Sequence, residues 1–209
     1  MEDLVILGTS VHAAEMVDIV ARVNALCPTW NLLGCCALDE EQLRAAGTTL
    51  NGAPVLGTRE ALERLETARL VPDNTWPIDS STPAERLVSL LDPSTFVARS
   101  ARIGRGCVFY PHCTIGHNAV VGDGVFSLAG SVVNHDDVLG ERTQIAAQAT
   151  LAGYVKVESG CYLGQSCSVR QSVTIGRGSL IGMGAVVLHD VPPNSVMVGN
   201  PARRLRDRT

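Results

Sequence analysis

The chain has no run of lysine or arginine, and its 17 basic residues stand against 21 acidic ones in 209, a formal net charge of -4. Nucleic acid and anionic membrane surfaces are recognised by concentrated basic faces, so neither is an expected partner. Small molecules are. No apolar run approaches the roughly 20 residues that a bilayer-crossing helix needs, and no membrane insertion is expected. Met1-Glu2-Asp3 lacks the positive start of a secretory signal, which points to a cytoplasmic location. Seven cysteines make an odd count without a CxxC pair, so neither a disulfide framework nor a zinc ribbon is favoured.

What the chain does have is a beat of six. Every sixth residue from Val97 to Val187 gives a row of sixteen positions, of which fifteen are apolar where a 45% hydrophobic composition would give about seven. Ser127 is the exception. Glycine follows the apolar residue at Gly104, Gly116, Gly122, Gly140, Gly164, Gly176 and Gly182, which suits a sharp turn once per repeat. Two positions before the apolar residue stands a compact one, such as Cys107, Cys113, Ala119, Ser131, Thr143, Cys161, Cys167 or Ala185. Two inward residues per six describe a short strand, a corner and another short strand. Three such units make a triangular coil of 18 residues, and about five coils stack about 4.8 Å apart by parallel strand pairing. The four cysteines of the compact row are expected to act as small hydrophobes. The 18-residue interval also puts His117, His135, Gly153 and Gln171 in one column.

The first 92 residues read differently. Leu4 to Gly8 is a buried parallel strand ending in glycine, and Ser10 can cap a helix over Val11 to Val23. Backbone N–H groups at such a helix start suit a phosphate. A second strand, Trp30 to Leu38, ends at Asp39 and Glu40, where a ribose hydroxyl could be met. The same βαβ unit also occurs where no nucleotide binds, so both readings stay open here. A turn at Asn51-Gly52 precedes a short strand at Val55-Leu56. Thr58 should open a helix through Leu70, a third strand is expected near Trp76 to Asp79 with Asp79 at the pocket, and Pro83 should begin a helix to Leu91. Asp92-Pro93 is the expected boundary between domains 1–92 and 93–209.

The hexapeptide row, with VVNHDDVLG inside it and DVPPNSVMVGNPARRLR at its end, resembles the left-handed parallel β-helix acyltransferases. The likeness is to the sugar O- and N-acyltransferases related to sialic acid, bacillosamine and perosamine acetyltransferases. It implies the left hand of the coil, a homotrimer, an N-terminal Rossmann-like domain that holds a nucleotide-linked amino sugar, and acetyl-CoA as co-substrate without a metal. It implies His135 as general base, in Asn134-His135-Asp136, with Asp136 raising its basicity. Acetyl-CoA contacts map to Gln144, Gly153, Gln165 and Met183, and sugar-nucleotide contacts to Gly8, Ser10, Val11, His12, Asp39, Glu40 and Asp79. Three departures from the family pattern stand out. Ser10-Val11-His12-Ala13 replaces a Gly-His-Gly loop, Gln144 replaces a histidine, and Leu128 replaces a frequent asparagine.

Imidazole is the side chain poised to take a proton near neutral pH, and a glycine in its column lets a bare backbone N–H approach a thioester oxygen. The expected reaction is direct acetyl transfer to the sugar amine. O-acetylation of a sialic-acid-like sugar and a non-catalytic trimeric scaffold are the alternatives, and Asn134 to Asp137 could equally be a solvated corner. His112 and His117 resemble part of the metal site of gamma-class carbonic anhydrases, but no third histidine stands at that family's spacing. Arg203, Arg204, Arg206 and Arg208 are candidates for coenzyme phosphates or, more simply, solvated charge.

Overall fold

The structure, a computed structural model, describes residues 1–79 and 81–208. It divides into two compact units, Met1–Pro93 with Arg105–Val108, and Ser94–Gly104 with Phe109–Thr209.

The first unit is a Rossmann-like three-stranded parallel sheet with β1 (Glu2–Leu7) between β2 (Trp30–Cys36) and β5 (Arg69–Pro72). Leu4, Val5, Ile6 and Leu7 are all fully buried, as a central strand covered on both faces requires. Helix α1 (Val11–Leu26) follows β1 and buries Ala13, Met16, Ile19 and Val20. A short helix α2 (Glu40–Ala46) follows β2, and β3 (Thr49–Leu50) turns into β4 (Ala53–Pro54) through Asn51 and Gly52, both at positive φ, the geometry of a tight hairpin. The expected strand at Val55-Leu56 is therefore displaced to Ala53–Pro54, and Val55 makes only an isolated bridge to Cys35.

Three expectations for this unit fail, each for a tertiary reason. The helix from Thr58 to Leu70 is a 3-10 segment, Arg59–Arg64, followed by β5. The free edge of β1 takes Arg69 to Pro72 as its ladder partner and buries Leu70 and Val71 completely, which outweighs helix propensity. Trp76 to Asp79 is not a strand, because the Asp73 carboxylate gathers the N–H groups of Thr75 and Trp76 into a turn. The helix from Pro83 shrinks to Ala84–Arg86. Beyond it the Val88 N–H is drawn to the Leu70 carbonyl and the Leu90 N–H to that of Cys107, both in extended backbone.

The second unit is a left-handed parallel β-helix. Two-residue rungs pair at an interval of 18, with Thr114 beside Val132, Val132 beside Thr150 and Thr150 beside Ser168. One face is a sheet of six rungs from Phe96–Val97 to Val186–Val187, and the next is a sheet of five from Arg102–Ile103 to Thr174–Ile175. The third carries Phe126–Ser127, Gln144–Ile145, Tyr162–Leu163, Leu180–Ile181 and Ser195–Val198. Ile115, Leu151, Leu163, Ile175 and Ile181 of the six-beat row are fully buried, as are Ala119, Thr143, Ala149, Cys167 and Ala185 of the compact row. Burial raises the Cys161 thiol and pushes that of Cys167 up to about 12, so both act as core. Ser127 is tolerated in the core because its hydroxyl pairs with that of Ser131, itself bonded to Cys113 Sγ.

The glycine row needs a different explanation from the one its spacing suggests. Left-handed backbone falls two residues later, at 106, 112, 118, 124, 130 and 136 and on to 184, where Asn118, Asp136, Arg142 and Tyr154 take it as well as glycine. The row glycines instead allow close approach between coils. A Cβ at Gly140 would stand 2.4 Å from Ser159 N, and one at Gly164 2.6 Å from Met183 N.

Candidate active site

His135 lies at the corner between the six-rung and five-rung faces, and its side chain is 45% exposed, so the ring points out of the coil. The stacking inferred from 18-residue spacing holds at this corner, since Asp136 N–H donates to His117 O, Tyr154 N–H to His135 O and Ser172 N–H to Gly153 O. His135 Nδ1 is 3.0 Å from Asp136 Oδ2. A carboxylate only accepts, so Nδ1 carries the proton and Nε2 presents the lone pair. The bond from His135 and a second from Asn118 Nδ2 at 3.2 Å hold the Asp136 carboxyl below its usual range. Tyr154 meets the imidazole edge-on at 5.1 Å between ring centroids.

Gly153 is buried beneath that ring. A Cβ there would lie 2.3 Å from His135 Cε1 and 2.5 Å from Nε2, so glycine at 153 is what lets the imidazole lie flat over the next coil. Among the described residues the Gly153 N–H has no hydrogen-bond acceptor. The corner therefore brings the imidazole of one coil against the bare backbone of the next.

The solvated-corner reading fails at its last residue. Asp137 is fully buried, with Oδ2 accepting from Asn134 N at 2.7 Å and Oδ1 from Val155 N at 2.8 Å, and burial pushes its carboxyl up to about 7. A sequence signal existed, since Asp137 stands two before Leu139, in the compact inward row.

The remaining coil residues are dispersed. Gln165 and exposed Met183 stack at another corner, where Gly184 N–H donates to Gln165 O, and Gln144 lies on the third face between Phe126 and Tyr162. Arg208 donates to the carbonyls of Gly160, Gly178 and Ser179 and so fastens the final strand, while Arg204 pairs with Asp207. His117 Nδ1 is 2.7 Å from Ser100 Oγ, and among the described residues no three His, Cys, Asp or Glu side chains are grouped to hold a metal.

In the first unit the expected nucleotide residues follow the carboxyl ends of adjacent strands, with Gly8 N–H bonded to Cys36 O. They do not form one cluster. Ser10 caps α1, accepting from the N–H groups of His12 and Ala13 and donating to buried Asp73 at 2.6 Å. Gly8 is needed beside it, since a Cβ would fall 2.1 Å from Asp73 Oδ2. A carboxylate thus already faces this helix start through Ser10, which disfavours the phosphate site read from the sequence. Val11 is exposed and His12 pairs with Glu15. Asp39 and Glu40 instead line an open cleft of about 400 Å³ with Leu38, Thr58, Arg59, Glu60 and Glu63. Asp39 also caps α2 through Gln42 N–H. Asp79 reaches this cleft through Arg59, 3.7 Å away, and its hydrogen bond from Ser81 lowers its carboxyl below the usual range. Arg59, which the sequence reading missed, stacks 5.1 Å above the Trp76 ring and is the cleft's cation.

The family profile "Hexapeptide repeat of succinyl-transferase" matches residues 154–189. An acyl-[acyl-carrier-protein]–UDP-N-acetylglucosamine O-acyltransferase of Agrobacterium fabrum is 36% identical over 106 residues, 47% of this chain and 39% of its own length. Serine acetyltransferase 2 of Arabidopsis thaliana is 36% identical over 110 residues, 51% of this chain and 31% of its own length, so the chain spans well under half of each. Among solved structures, PerB of Caulobacter crescentus in complex with CoA and GDP-perosamine superposes with a TM-score of 0.85 at 26% identity, covering 98% of this chain and 97% of that one. The acetyltransferase domain of PglB from Neisseria gonorrhoeae, in complex with acetyl coenzyme A, gives 0.82 at 26% identity over 98% and 99%. WeeI of Acinetobacter baumannii gives 0.77 at 25% over 98% and 100%. The resemblance to the hexapeptide-repeat sugar acyltransferases is borne out.

Proposed function

We propose that the chain is an acetyl-CoA-dependent acetyltransferase that acylates the amino group of a nucleotide-linked amino sugar. The observation that carries this is the His135 imidazole, with Nδ1 held by Asp136, lying over the bare backbone of Gly153. The amine lone pair attacks the thioester carbonyl carbon while His135 Nε2 takes the amine proton. The oxyanion faces the Gly153 N–H. Collapse breaks the C–S bond, the imidazolium returns its proton to sulfur, and coenzyme A leaves as the thiol. No covalent enzyme intermediate is required. Full-length likeness to PerB, solved with CoA and GDP-perosamine, supports both the donor and the acceptor class.

The coil residues for the donor lie on different edges, Gly153 at one corner and Gln165 with Met183 at another. The donor accordingly lies between neighbouring coils of a homotrimer, and the first unit, corresponding to residues 1–92, holds the nucleotide, with Asp39, Glu40, Arg59 and Asp79 at its cleft. Calorimetry with acetyl-CoA, followed by thiol release on adding UDP-, GDP- or dTDP-linked 4-amino sugars, tests this. Donor binding with thiol release only in the presence of an amino sugar is expected. Absence of donor binding would leave a scaffold, and release only with hydroxyl acceptors would make it an O-acetyltransferase.

A further inference from the structure

Among the described inward-facing residues of the coil, Asp137 is the one carboxylate, in a column that also holds Ala119, Val155 and Val173, all buried. Its two oxygens serve two different corners. Oδ2 takes the N–H of Asn134, at the start of the corner that carries His135, and Oδ1 takes the N–H of Val155, at the end of the corner that carries Gly153 and Tyr154. At several other corners the amide equivalent to that of Val155 closes its own corner, whereas that of Cys107 reaches back to Ser89 Oγ. Ala119 N–H bonds to Gly116 O, Ala149 to Ala146, Cys167 to Gly164 and Ala185 to Gly182, each within one turn. At 155 this local bond is exchanged for one that reaches across to the previous coil. Burying a carboxylate is unfavourable unless its lone pairs are met, and here each oxygen accepts one backbone N–H.

We infer that Asp137 is a positioning residue, whose buried carboxylate fixes the corner carrying His135 against the corner carrying Gly153 and so sets the gap in which the acyl group is handed over. A direct link between these corners is what a general base and an oxyanion donor on separate coils need, because a misplacement of about 1 Å can cost on the order of a hundredfold in rate. From its own corner Asp137 faces His135 and Asp136. The side chains stacked before and after it, Ala119 and Val155, do not titrate.

The kinetic consequence rests on the proposed transfer reaction, whereas the structural link does not, so two readouts separate them. In Asp137→Asn one amide must face Nδ2, itself a donor, and loses its acceptor. Asp137→Val fills the space as its column neighbours do and removes both bonds. In wild-type protein the amide proton shifts of Asn134 and Val155 should move together as pH crosses about 7, where the carboxyl titrates, and Asp137→Asn should abolish that movement. Both variants should lower kcat about 10- to 100-fold while KM for acetyl-CoA and sugar nucleotide stays within about twofold. Amides that titrate independently in the wild type would overturn the link whether or not the protein is a transferase. A folded Asp137→Asn or Asp137→Val enzyme with wild-type kcat would overturn the positioning role.

Discussion

The coil and the α/β unit bury similar aliphatic residues but differ in what holds them in register. In the coil the inner rungs are bonded to rungs 18 residues before and after them, so one local rule is repeated along the faces. In the α/β unit one central strand must find partners about 28 and 65 residues away, Glu2 beside Trp30 and Leu4 beside Arg69. The difference teaches where chemistry can be attached to each. A repeated frame places a corner residue to within its stacking geometry, whereas the irregular unit builds its cleft from segments whose pairing no local pattern announces.

The largest expected effect sharpens the first half of that comparison. His135→Ala should lower kcat by about two to four orders of magnitude with Tm unchanged, because the half-exposed ring is attached to the frame without supporting it. Thiol release and a melting curve on the same sample check both halves.

Two glycines of the same coil should then part company. Gly140→Ala drives a Cβ against the Ser159 backbone and should destabilise the fold by about 1–3 kcal/mol, seen as a lower Tm. Gly153→Ala meets the His135 ring instead, which can swing away, so about a 10- to 100-fold loss of kcat with little change in Tm is expected. Equal losses of Tm would show that position 153 serves the frame alone.

In the α/β unit Ser10→Ala removes the α1 cap and leaves buried Asp73 short of one donor, at a cost of about 1 kcal/mol in a denaturant titration. Nucleotide binding should survive if the cleft at Asp39 and Arg59 is the site, and should be lost with it if the helix start is.

The smallest effect is a slope. Asp137 has a folded value of about 7, above the ordinary 3.8, so the fold favours its protonated form. Its stabilisation is complete below about pH 4 and declines as pH rises through 7. Tm should rise on acidification from pH 8 to 5.5, and Asp137→Asn should flatten that rise. Asp136 and Asp79, held below the carboxylate range, act in the opposite sense at lower pH.

The coil was legible because its apolar letters recur at an interval that the backbone itself imposes. Even there the reason for the glycines was not, since the left-handed position accepts Asp136 and Tyr154 and carries no single letter. His135 and Gly153 could be paired by counting eighteens. Asp137 was hidden by its charge, which reads as solvent although its place in the row reads as core. In the α/β unit β1 and α1 follow from local pattern, but Ser10 with Asp73 and Arg59 with Asp79 join residues separated by 63 and 20 positions in sequence. The helix expected at Thr58 to Leu70 gave way to a ladder that only the folded sheet supplies.

The most direct test is thiol release from acetyl-CoA, with and without a nucleotide-linked amino sugar, by wild-type protein and by His135→Ala. Release that requires the sugar and falls at least a hundredfold in the variant, with both ligands still bound, is the predicted result. Release at the wild-type rate by the folded variant would contradict a corner imidazole as the base.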